Sequence, residues 1–110
     1  MTNPQEEMAS QSVEARLAAL GDSNRRGIFD LLSNRSQSVG EIAKRLPITR
    51  SAVSQHLRIL ADVGLVHYES QGTRNVYSLD PEAVAEIRDY LDAVWTKALA
   101  RLKGRAERRK

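Results

Sequence analysis

The sequence predicts a mainly α-helical domain with a small β-hairpin, in the order α-α-α-α-β-β-α. Three observations carry this. Hydrophobic residues make up 41% of the 110 residues but aromatics only 5%, so the core is aliphatic, which suits helices better than a β-sandwich. Apolar positions recur at helical spacing along most of the chain, punctuated by cap and stop residues. Between residues 65 and 79 the pattern changes to β-branched and aromatic residues on either side of a polar loop with a glycine.

Met1–Gln11 holds Pro4, acidic residues and little apolar content, so residues 1–11 read as a disordered lead-in. Val13, Leu17 and Leu20 then fall at helical spacing, and Gly21 supplies a stop. Asp22 or Ser23 can cap the next helix, whose stripe is Ile28, Leu31 and Leu32. Ser38-Val39-Gly40-Glu41 is a capping-box pattern, opening a short helix through Ile42, Ala43 and Leu46 that Pro47 ends. Thr49 can cap a longer helix from Arg50 to about Val63, with Gly64 placed for a left-handed C-terminal residue. Two helices separated by Pro47-Ile48-Thr49 form a helix-turn-helix candidate.

Leu65–Glu69 and Asn75–Leu79 read as strands joined by the loop Ser70–Arg74, a hairpin placed as a wing. Asp80-Pro81 is an N-cap followed by proline at the first helical position. From there Val84, Ile87, Leu91, Val94, Trp95, Ala98, Leu99 and Leu102 mark one long amphipathic helix. Gly104 is expected to end it, leaving 104–110 as a basic tail. The folded domain is thus expected over residues 12–103.

With no cysteine, a disulfide framework, a thiolate zinc site and a cysteine nucleophile are all excluded. No apolar run approaches the roughly 20 residues needed to cross a bilayer, and the chain reads as cytoplasmic. The net charge of +3 is unevenly spread: −3 over residues 1–14, +4 over 15–79, −4 over 80–96 and +6 over 97–110. A basic middle and a basic end suggest a polyanionic partner.

The helix from Arg50 states which one. At 100° per residue Val53, Leu57 and Leu60 gather on one side, while Ser51, Ser54, Gln55 and Arg58 gather on the other. That polar face has no carboxylate before Asp62. Arg can fork onto guanine, Gln can pair with adenine, and Ser can serve base or phosphate. An ordinary solvated face would mix Glu with Lys.

Ser51–Leu60 followed by Ala61-Asp62-Val63-Gly64-Leu65-Val66 resembles the recognition-helix signature of ArsR-type transcriptional repressors. Leu17–Asp22 with Arg25–Ile28 upstream, and Gly72–Leu79 downstream, extend the resemblance over roughly residues 12–100. It implies a winged helix-turn-helix, a homodimer, and repression from an inverted-repeat operator. It implies groove or phosphate contacts for Ser51, Ser54, Gln55 and His56, with Arg74 on the wing. Thr49, Arg50 and Arg58 complete the candidate DNA-binding set. His56 lies at the border of the apolar face, so packing the helix onto the domain is an equal reading for it.

The last helix has more apolar surface than one small core absorbs, with Trp95 as a natural interface anchor. The resemblance pairs this helix with the first, placing Val13, Leu17, Leu20, Ile87, Leu91 and Trp95 at the dimer interface. The metal sites of metal-sensing members do not carry over. The helix preceding the recognition helix has no cysteine, and the last helix has Glu82, Glu86, Asp89 and Asp92 but no histidine. No metal, cofactor or effector is therefore assigned.

Two rivals remain. An enzyme would need a Gly-rich phosphate loop, metal-ligand spacing or a nucleophile–base pair, and none is present. A winged-helix protein–protein interaction or accessory module would expose apolar or acidic groups where this helix exposes Arg, Ser and Gln.

Overall fold

The computed structural model describes residues 13–108. Helix α1 covers 13–19, followed by α2 (Ser23–Asn34), β1 (Gln37–Ser38), α3 (Val39–Ala43) and α4 (Arg50–Asp62). The hairpin strands β2 (Val66–Gln71) and β3 (Arg74–Leu79) come next, then α5 (Pro81–Arg108). The lead-in expected at residues 1–11 lies outside the described residues.

Local chemistry sets most boundaries. The Asp22 carboxylate accepts from the Arg25 backbone N–H at 3.0 Å and caps α2. Ser38 and Glu41 form the expected reciprocal capping box. Thr49 Oγ1 accepts from Ala52 N–H at 3.1 Å to start α4. That helix closes in a Schellman arrangement: Leu65 N–H donates to Leu60 carbonyl and Gly64 N–H to Ala61 carbonyl, with Gly64 at φ 78°. Asp80 Oδ1 accepts from Ala83 N–H at 3.0 Å and opens α5 ahead of Pro81.

The structure corrects the sequence reading at four points. First, α3 ends at Ala43 and not at Leu46; its last turn tightens through an Arg45 N–H to Ile42 carbonyl bond, because the residue before Pro47 is steered out of helical geometry. Second, the hairpin loop is shorter than Ser70–Arg74. Strand pairing runs to Gln71↔Arg74 around Gly72-Thr73, and of these two turn residues Gly72 (64°) but not Thr73 has a positive φ, which fits a type II′ turn. Third, β1 pairs antiparallel with β3 at Gln37↔Tyr77 and Ser38↔Val76, giving a three-stranded sheet in the order β1-β3-β2. Fourth, Gly104 does not end the last helix, which runs to Arg108. A glycine in an exposed helix costs only about 1 kcal/mol relative to alanine, and good helix formers flank it.

The core joins α2, α3, α4 and the start of α5. Ile28, Ile42, Val53, Leu57, Leu60 and Leu65 are fully buried, and Ala83 and Ile87 close the cluster from α5. Facing rings of Tyr68 and Tyr77, 5.4 Å apart, pin the hairpin register. Arg16 ties three elements together: its Nε donates to the Val63 carbonyl at 2.9 Å and its Nη1 pairs with Glu86 on α5. No helix among the described residues is long and apolar enough to cross a membrane.

Candidate nucleic-acid interface

Burial of Val53, Leu57 and Leu60 fixes the rotation of α4 and leaves Ser51, Ser54, Gln55 and Arg58 exposed together on the opposite face. Residues 51, 54, 55 and 58 are neighbours across successive turns, so the face is a continuous polar strip about 11 Å long at 1.5 Å per residue. Its groups carry hydroxyls, an amide and a guanidinium, the donor and acceptor set that base edges and phosphates present in reverse.

The remaining candidates are placed around this strip. Thr49 is exposed, with its hydroxyl oxygen engaged as the α4 cap. The Arg50 guanidinium folds toward α3, so a Cβ on Gly40 would lie 3.2 Å from its Nη2. On the wing, Arg74 Nη2 donates to Glu41 Oε1 at 2.6 Å. Arg50, Arg74 and Glu41, with Lys44, Thr73 and Asn75, border a cleft of about 350 Å³ between α3, the start of α4 and the hairpin turn. The sequence did not single out Lys44, Thr73 or Asn75; only the folding of the wing against α3 brings them together.

His56 stands apart. It is half-buried, and Arg25 Nη1 donates to its Nδ1 at 3.4 Å while Arg25 Nε donates to the Ala19 carbonyl at 2.7 Å. The Arg25 backbone N–H first, with the Arg25 guanidinium adding, holds the nearby Asp22 carboxyl below the usual carboxylate range. His56 therefore seats α4 on the start of α2.

The proposed interface residues divide along α5. Ile87 belongs to the protomer's own core, Val13 is buried, and Leu17 and Leu20 are half-buried against that core. Beyond Ile87 the helix stands free: Tyr90, Leu91, Val94, Trp95, Leu99 and Leu102 are exposed, Trp95 by 64%. At 100° per residue these six fall within one half of the helix circumference. Among the described residues no three His, Cys, Asp or Glu side chains converge as metal ligands would.

A basic, groove-sized helix followed by a paired wing defines a helix-turn-helix transcriptional regulator, and the comparisons agree. The helix-turn-helix domain family matches residues 20–69. The HTH-type transcriptional regulator Rv2034 of Mycobacterium tuberculosis is 48% identical over 81 residues, covering 74% of this chain and 76% of that protein. The arsenical resistance operon repressor of Bacillus subtilis is 35% identical over 72 residues, 64% of this chain and 69% of that protein. A solved homodimeric winged helix-turn-helix DNA-binding domain from Mycobacterium bovis, described as a possible ArsR-family regulator, superposes with a TM-score of 0.70. It is 26% identical, covering 89% of this chain and 91% of that one. The chain belongs to the ArsR family of transcriptional regulators and is not an enzyme.

Proposed function

We propose that the protein is a homodimeric repressor that reads an inverted-repeat operator through α4 and the wing. The observation that carries this is the exposed strip Ser51, Ser54, Gln55 and Arg58, which has no carboxylate and lies beside a cleft rich in cations. Thr49, Arg50 and Arg74 flank the strip toward the phosphates, and His56 contributes by seating the helix. The working unit is residues 12–103, acting in the cytoplasm, with 104–110 as a basic extension. A second copy covers the open face of α5, with Leu91 and Trp95 at its centre and Val13, Leu17, Leu20 and Ile87 shaping its inner edge. The homodimeric state of the Mycobacterium bovis domain supports that assembly, and the arsenical resistance relative supports repression.

Selection of bound fragments from random duplex DNA tests this reading. The expected product is a palindrome whose half-sites lie about one helical turn, roughly 34 Å, apart. Gln55→Ala should then cost about 1–3 kcal/mol on the selected site and relax the base preference at one position per half-site. Recovery of unrelated sequences would remove specific reading. Transcription from a promoter overlapping the site should fall as protein is added; a rise would make the protein an activator.

Zinc in modest excess should leave operator affinity unchanged, because neither α3 nor α5 carries a cysteine or histidine to supply a thiolate or imidazole ligand. A large zinc-dependent loss of the shifted band in a gel assay would overturn that expectation.

A further inference from the structure

Glu41 has two tasks. As the third residue of α3 it accepts the Ser38 backbone N–H at 3.2 Å, completing the capping box. The same Oε1 accepts from Arg74 Nη2 at 2.6 Å, 33 residues further along the chain, and Arg35 Nη1 lies 3.9 Å from Oε2. Among the described residues lining the cleft between α3, α4 and the wing, Glu41 is the one carboxylate, against Lys44, Arg50 and Arg74. The Ser38 backbone N–H first, then the Ser38 hydroxyl, with Arg74 and Arg35 adding, hold its carboxyl below the usual range. It is ionised wherever the protein meets DNA at neutral pH.

We propose that Glu41 holds Arg74 in an ion pair that a DNA backbone must break, so that the capping-box carboxylate limits how tightly any duplex is held. The inference rests on the DNA-binding reading above and adds an affinity-setting residue to it. A phosphate entering the cleft competes with a carboxylate already 2.6 Å from the guanidinium. While paired, Arg74 is electrically neutralised and releases no counterion on binding. Binding to any duplex is thereby kept low, and preference for the operator is left to the base contacts of α4.

Glu41→Gln is the test variant, because glutamine also completes a capping box and keeps α3 intact. An unchanged circular dichroism spectrum and Tm verify this. Fluorescence anisotropy on the selected operator and on a scrambled duplex, from 50 to 300 mM salt, supplies the readout. Glu41→Gln should tighten both by about two- to fivefold at 50 mM salt and steepen the log–log salt slope by about 0.9. The loss caused by Arg74→Ala should be about two- to fivefold larger in the Glu41→Gln background than in the wild type. Equal losses in the two backgrounds, or binding by Glu41→Gln no tighter than wild type, would overturn the latch alone. A wild-type protein that binds neither duplex at 50 mM salt would overturn the DNA-binding reading and the latch with it.

Discussion

Trp95→Ala is expected to convert the proposed dimer to monomer at micromolar concentration and to weaken operator binding with it. In the protomer Trp95 is 64% exposed, flanked by Leu91, Val94 and Leu99, and it lies two helical turns beyond Ile87, the last α5 side chain in the core. Truncating it removes little from the fold of one protomer. It removes the largest apolar group from the face that a second copy would cover. Truncation of a central aromatic anchor costs about 2–4 kcal/mol, or about 30- to 700-fold in the dimer constant. Two recognition helices bind a palindrome far better when joined, so affinity should fall as the dimer is lost. Sedimentation velocity gives the oligomeric state and anisotropy the affinity. Trp95 is also the single tryptophan in the chain, so its emission should shift to the red as the wild type is diluted. A variant that sediments as monomer yet holds the operator at full strength would separate the two properties and end this account.

How much of this was legible in the sequence depends on the range of the forces involved. The capping box at Ser38 and Glu41, the Thr49 cap, the left-handed Gly64 and the Asp80-Pro81 start are chemistry within four residues, and the structure realises each. The rotation of α4 was equally legible, because three aliphatics at helical spacing can only turn inward together. A strand of two residues has no period to read, so β1 was invisible until β3 supplied its partner. The stripe on α5 announced an apolar face but not where the protomer's core stops; packing against Ala83 and Ile87 decides that. Pairs such as Glu41 with Arg74, or Arg16 with Glu86, join residues 33 and 70 positions apart and leave no local trace. The candidate strip on α4 was thus readable from sequence, whereas the cleft beside it was not.

Arg16→Ala should be the most destabilising single change outside the aliphatic core. The Arg16 side chain is 14% exposed, and Glu86, its partner on α5, is 50% exposed. The ion pair is therefore screened and contributes modestly. The bond from Nε to the Val63 carbonyl matters more, since it satisfies the cap residue of α4 with a charged donor at the negative end of the helix. Gly64 shows how closely this is built: a Cβ there would stand 3.1 Å from Arg16 Nη2. Removing the guanidinium frees a carbonyl, unpairs Glu86 and opens space beside Gly64 at once. Together these cost about 2–3 kcal/mol, which in a domain of this size lowers Tm by about 10–20 °C. Arg16→Lys should recover less than half, because an ammonium cannot present two diverging donors to α4 and α5. Glu86→Gln should cost under about 1 kcal/mol, as befits the screened partner. Thermal melts of the three variants decide the matter. An Arg16→Ala protein melting within 2 °C or so of wild type would show that α4 is held by its aliphatic face alone. The expected loss instead makes Arg16 the brace that fixes α4 relative to α5, and with it the spacing at which two copies of the proposed dimer would meet one operator.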